Sequence, residues 1–218
     1  MWIPVVTEKK KVLEIENKIN EITNSILNNL PCNQPGLLTG NLGLCLYFSF
    51  LSRYEKTDKY NSILQQLIEN SFVFINSKSY ISSSFASGIS GIFWGLDFLN
   101  KEGFIDADYY SEDIIPILMK EIDKLGGSNN FDYLHGAMGI AFYLSHQKNE
   151  AIDKSIDTLI KHLLEKGISD ENNIRWLSKM SYDDKKEVFN LSLSHGISSV
   201  IIIPVSYTHL RAHETKAN

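Results

Sequence analysis

The chain has 218 residues, enough for one domain with a sizeable core, and 43% of them are apolar. Its net charge of -5 argues against nucleic acid as a partner, because phosphate binding needs a clustered basic surface. Cys32 and Cys45 form no metal-binding or disulfide pattern, which favours free thiols in a reducing compartment. With no signal peptide or apolar stretch long enough to span a bilayer, the expected location is the cytoplasm.

Helical periodicity recurs along most of the chain. The predicted helices cover, in order, about 7–30, 39–51, 58–75, 87–99, 108–125, 135–145 and 150–165. Period-two alternation is never sustained, and only Val200–Ile203 is strand-like in isolation. Long amphipathic helices alternate with shorter ones that are apolar almost all round, as expected of outer and inner layers. The prediction is therefore an all-α fold.

Paired glycines open the short helices. The motifs are Gly40-Asn41-Leu42-Gly43, Gly88-Ile89-Ser90-Gly91, Gly136-Ala137-Met138-Gly139 and, in degenerate form, Gly196-Ile197-Ser198-Ser199. The first two spacings are 48 residues and the third is 60, which suits one helical hairpin per repeat. Since each helical glycine costs roughly 1 kcal/mol relative to alanine, close backbone approach is the expected reason for them. Backbone N–H groups left open to a ligand are the alternative.

This recurring pattern resembles the LanC-like lanthionine synthetase cyclases. The resemblance covers about Gly36 to Ile203 and implies an α/α toroid, of which four of seven helical hairpins match here. It implies that the protein is an enzyme that adds a cysteine thiol to dehydroalanine or dehydrobutyrine in a lantibiotic-type precursor, which forms a (methyl)lanthionine thioether.

Two polar residues stand where the family has catalytic ones. Asp132 lies four residues before Gly136, and His195 lies directly before Gly196. The resemblance implies that His195 is the acid/base residue and that Asp132 orients it or stabilises its charge. Two plainer interpretations stay open: Asp132 as a helix cap and His195 as a buried, hydrogen-bonded histidine. His135 also precedes a glycine and is a candidate neighbour in the same cavity.

The resemblance also implies zinc as the cofactor, which makes the thiol a thiolate, the nucleophilic form. The family holds zinc with a cysteine in the fifth repeat and a Cys-His pair in the sixth, and nothing in this sequence matches either. The implied partner is a precursor peptide with a leader and a dehydrated core. A dehydratase and membrane association through a biosynthetic complex are further candidates.

Residues 205–218 form a separate region, because the string from Val205 to Thr215 resembles a translated sequencing adapter. The expected domain is 1–204, the N-terminal part of a toroid, with a non-native tail at 205–218. We discount the spacing of His209 and His213 as a metal motif for that reason. The expectation is a truncated chain that binds no zinc and has no cyclase activity.

Two other functions stay open on the sequence alone. A glycoside hydrolase on a similar toroid would need two cavity carboxylates, and only Asp132 is strongly placed. A non-catalytic helical-repeat interaction module would need the glycines for packing only.

Overall fold

The computed structural model describes residues 5–77, 81–106, 113–147, 149–179 and 187–216. The chain forms two compact units, Met1–Asn33 and Gln34–Asn218. The first unit contains helix α1, Lys9–Asn28, within the predicted first helix. The second unit contains all the glycine motifs.

The second unit is built almost entirely of helices, as predicted. They are α2 Asn41–Glu55, α3 Asn61–Ser77, α4 Ile89–Lys101, α5 Ile115–Gly127, α6 Ala137–Leu144, α7 Glu150–Lys166 and α8 Ile197–Lys216. Among the described residues, four two-residue strands form two antiparallel pairs, β1 Ile168–Ser169 with β2 Ile174–Arg175 and β3 Ser178–Lys179 with β4 Glu187–Val188.

Inner and outer helices alternate as expected of an α/α toroid. The helices that follow the glycine motifs pack in sequence order, α2 on α4, α4 on α6 and α6 on α8. The intervening helices pack behind them, α3 on α2, α5 on α6 and α7 on both α5 and α6. Helix α6 is apolar and buried on nearly every side, whereas α7 buries one apolar stripe.

A run of backbone hydrogen bonds fixes the register between successive repeats. The residue two positions before each first glycine donates its N–H to the carbonyl of the equivalent residue in the next repeat. The bonds are Leu38 to Ala86 at 2.8 Å, Ala86 to Leu134 at 3.0 Å and Leu134 to Ser194 at 3.4 Å. Equivalent residues of neighbouring repeats therefore lie side by side, although they are 48 or 60 positions apart in the sequence.

The paired glycines leave space for the preceding loop to pack against the start of each helix. A Cβ on Gly91 would lie 1.8 Å from the carbonyl oxygen of Phe85, and one on Gly139 would lie 2.0 Å from that of Tyr133. Each of these carbonyls stands six residues before its glycine, so the loop folds tightly back over the start of its own helix. Close packing, one of the two sequence interpretations, is thus sufficient for the paired motif.

The fourth repeat departs from the others. Its longer spacing contains both strand pairs, which the sequence did not predict because two-residue strands leave no period-two signal. Trp176 connects this region to the end of α7, because its indole N–H donates to the carbonyl of Leu163 at 2.8 Å. The strand-like run Val200–Ile203 lies in α8, and α8 continues through the adapter-like residues to Lys216. The boundary at 204 stays a prediction.

Cys45 is fully buried in α2, and burial raises the pKa of its thiol to about 12. At pH 8 the group is thus almost wholly in the unreactive thiol form. We expect iodoacetamide to label Cys32, which is partly exposed, while Cys45 reacts only after unfolding in denaturant. Mass spectrometry of peptides at increasing times measures this, and equal labelling rates in the folded protein would contradict it.

Candidate active site

Asp132 belongs to the turn before α6. Its Oδ1 accepts from the backbone N–H of His135 at 2.7 Å, and its backbone carbonyl accepts from Gly136 N–H at 3.1 Å. The N-cap of α6 is Gly136, which makes no side-chain capping bond. Asp132 therefore closes a turn upstream of the helix instead of capping the helix itself. The bond to His135 N–H uses only Oδ1, which leaves Oδ2 of the carboxylate for another partner.

His195 occupies the equivalent turn before α8. Its backbone N–H donates to Ser192 Oγ at 3.2 Å, as that of His135 donates to Asp132. Its carbonyl accepts from Ser178 Oγ at 2.5 Å, which ties the turn to β3. The backbone of His195 is thus held from two sides, and its side chain projects from a fixed position.

The register between repeats brings these two side chains together. Asp132 Oδ2 lies 2.7 Å from His195 Nδ1, a short distance typical of a charge-assisted hydrogen bond. The Asp132 side chain is 14% exposed and that of His195 is 41% exposed. The carboxylate is thus sheltered, while the imidazole remains accessible to a substrate.

The pairing defines which nitrogen of His195 is available. A carboxylate accepts only, so Nδ1 carries the proton in this bond, and Nε2 is the atom that takes up or releases a proton. No described residue makes a hydrogen bond to Nε2. An imidazole held in this way is suited to general acid/base chemistry.

His135 lies against the same imidazole. The rings of His135 and His195 are nearly parallel, 12° apart, with centroids separated by 5.9 Å. Both residues stand directly before the first glycine of their repeats, where Thr39 and Ser87 stand in the first two. The stack follows from the register, which places equivalent residues of neighbouring repeats side by side.

Tyr133, the residue after Asp132, belongs to an aromatic cluster with residues of α6 and of the turn before α4. The ring of Tyr133 lies 5.2 Å from that of Phe85 and 5.9 Å from that of Phe142, measured between centroids. Burial raises the pKa of the Tyr133 phenol above its usual value, so it stays neutral through the physiological range. The residue next to Asp132 therefore adds apolar surface and no charge.

The described residues do not provide a zinc site. Within the described ranges, no group of three or more His, Cys, Asp and Glu side chains is arranged to hold a metal ion. The buried thiol of Cys45 contacts the carbonyl of Leu64 at 4.0 Å and is not directed to the Asp132–His195 pair. The residues present thus do not fit the zinc that the family resemblance implies.

The sequence placed Asp132 and His195 by motif position, and the structure brings them into contact. Ser178 and Ser192, which hold the His195 turn, were not predicted. Ser192 has a signal in hindsight, since it stands four residues before Gly196 as Asp132 does before Gly136. Ser178 has none, because its strand is too short to show in the sequence.

The inner row of glycine-led helices, with an outer row packed behind it, defines an α/α toroid. The model of the lanthionine synthetase C-like protein family matches residues 31–216, and the chain belongs to that family. A solved structure titled nisin cyclase is similar, with a TM-score of 0.52 and 19% identity over 77% of this chain. The chain spans half the length of nisin cyclase. A search of the curated proteins found no significant match.

No helix within the described residues is both long and apolar enough to cross a membrane.

Proposed function

We propose that this chain carries the proton-transfer part of a lanthionine-forming cyclase site, with His195 as the proton carrier and Asp132 as the residue that orients it. The observation that supports the proposal is the 2.7 Å contact between His195 Nδ1 and Asp132 Oδ2. The substrate is a precursor peptide with a leader and a core containing dehydroalanine or dehydrobutyrine.

The proposed step is a conjugate addition. A cysteine thiolate of the peptide forms a bond from its sulfur to Cβ of the dehydro residue, and the electron pair of the C=C bond moves onto Cα and the carbonyl as an enolate. His195 Nε2–H then transfers its proton to Cα, which completes the thioether and leaves a neutral imidazole. Asp132 stabilises the imidazolium beforehand through Nδ1.

The geometry of this pair determines the stereochemistry of the product. Cα becomes a stereocentre only when it receives the proton, so a fixed donor delivers the proton to one face. Ser178 and Ser192 fix the backbone of the donor, and Asp132 fixes its ring. A donor held in this way favours one diastereomer, whereas water protonates both faces.

Thiol activation is assigned to none of these residues. Activation of the thiol by zinc would need a complete ligand set, and the described residues hold no such set. The proposal also includes three expectations. A dehydratase makes the dehydro residues, the protein is located in the cytoplasm, and it associates with the membrane through a biosynthetic complex. The chain alone is also predicted not to accelerate thioether formation, so its expected effect is confined to the face of Cα that receives the proton.

The test uses a peptide with one cysteine and one dehydroalanine at about pH 7, where a small fraction of the peptide's cysteine is thiolate. Spontaneous cyclisation yields both diastereomers, and chiral separation of the hydrolysed lanthionine measures their ratio. We expect the chain to shift this ratio strongly toward one diastereomer, because a positioned general acid accelerates proton transfer by roughly 10² to 10⁴. His195→Asn should abolish the shift.

The matched control is His146→Asn. His146 is exposed, and its Nδ1 lies 2.7 Å from the carbonyl oxygen of Phe142. Its substitution should leave the diastereomer ratio at the value of the unmodified chain. An unchanged ratio with His195→Asn, or no shift by the unmodified chain, would reject the proposed function.

A further inference from the structure

We propose that His135 is a positioning residue for His195: its ring holds the His195 imidazole in the plane that pairs with Asp132. This inference rests on the proposed role of His195, and it adds a third residue to the site. It assigns to His135 a contact with His195 and none with the reacting atoms.

The stack limits the rotation of His195. With a side chain 41% exposed, His195 could rotate about χ1 and χ2 into solvent if Asp132 alone held it. The nearly parallel ring of His135 lies beside the imidazole in an offset arrangement, with 5.9 Å between centroids. Rotation that breaks the bond to Asp132 must also break this stack, so the two contacts support each other.

Backbone contacts hold His135 itself in place. Its N–H donates to Asp132 Oδ1, the second oxygen of the carboxylate that pairs with His195. One carboxylate thus receives the backbone of one histidine and the ring of the other. The three residues form a single unit in which a change of either histidine affects the carboxylate they share.

The repeats suggest the substitutions that test this arrangement. Ser87 occupies the position of His135 in the second repeat, so a serine is compatible with the turn. His135→Ser therefore removes the ring and keeps the backbone bond to Asp132. His135→Phe keeps a flat ring and removes both nitrogens.

The readout is the exchange rate with water of the His195 Nδ1 proton, measured by NMR on the full chain labelled with ¹⁵N at the histidine rings. We expect His135→Ser to increase this rate roughly two- to tenfold, the scale of one lost aromatic pair. His135→Phe should restore the slow rate of the unmodified chain. His146→Asn serves as the control and should change nothing.

Two results would overturn the inference. One is an exchange rate in His135→Ser equal to that of the unmodified chain, and the other is an equally fast rate in His135→Phe. Amide protection at Ala86 and Leu134, whose N–H groups bond the next repeat, confirms that each variant is folded. The NMR experiment needs no substrate. A failure of the proposed cyclase chemistry would change only the diastereomer ratio, so it is distinguishable from a failure of the proposed role of His135.

Discussion

Gly139→Ala is expected to destabilise the chain by roughly 3 kcal/mol, the upper end of the usual cost of overpacking. The added Cβ would lie 2.0 Å from the carbonyl oxygen of Tyr133 and 2.6 Å from Cβ of Phe85. Neither neighbour is the end of a flexible side chain, so the backbone of the loop must move. Urea unfolding should show a lower midpoint with an unchanged slope.

The displaced loop also contains Asp132, so this substitution has an expected effect on the site. Movement of the Tyr133 carbonyl shifts the neighbouring carboxylate away from His195, and the Nδ1 proton of His195 should then exchange faster with water. A loss of stability without any change in the exchange rate of the His195 Nδ1 proton would show that the loop moves at a point away from Asp132.

Gly127→Ala is the matched control. Gly127 is the last residue of α5, it is exposed, and a Cβ there would meet no atom within 4 Å. Alanine is the better helix former, so we expect stability to stay equal or to rise by up to about 1 kcal/mol. Equal losses for the two variants would contradict the packing explanation of the paired glycines.

Much of the fold was predictable because the repeat carries strong signals. Helical periodicity placed α2, α3, α4, α6 and α7 to within a few residues, and the glycine motifs placed the inner helices in order. The predicted fifth helix began near 108, whereas α5 begins at Ile115, and 107–112 lie outside the described residues. Pro116 at the start of α5 is a helix-start signal that the periodicity alone did not use.

The strand pairs and the length of α8 were not predictable for different reasons. Pairing of two residues, as in β1 with β2, depends on neighbours in space and not on a local pattern. In α8, Val200, Ile203 and Tyr207 are buried, a helical spacing that begins before Pro204 and continues beyond it. Tyr207 also donates to Asp153 of α7 at 2.7 Å, a contact that no sequence spacing announces.

The sequence selected the two residues of the candidate site, whose roles stay a prediction, but it did not give their geometry. Motif position selected Asp132 and His195, but the distance between them depends on the bond from Leu134 to Ser194 that aligns the two repeats. The same register explains why the rings of His135 and His195 are stacked. The sequence showed only that each of the two histidines directly precedes a glycine. Register between repeats is a property of packing, so it becomes visible only in the structure.

Asp132→Asn should return the diastereomer ratio to that of the uncatalysed reaction, with loss of a contribution of roughly 10² to 10⁴ from the positioned acid. The amide Oδ1 can still accept from His135 N–H, so the turn is preserved. The amide N–H₂, however, now faces His195 Nδ1 and donates to it, which moves the ring proton to Nε2. A neutral amide also no longer stabilises the imidazolium on which proton delivery depends.

Asp132→Ala separates the two roles of this carboxylate. It removes the acceptor for His135 N–H as well, so it should cost about 1 kcal/mol more in the free energy of unfolding than Asp132→Asn. Both variants should lose stereochemical control equally, since both leave Nδ1 without a carboxylate. If Asp132→Asn kept that control, and only Asp132→Ala lost it together with stability, Asp132 would serve the turn alone and His195 would act without it.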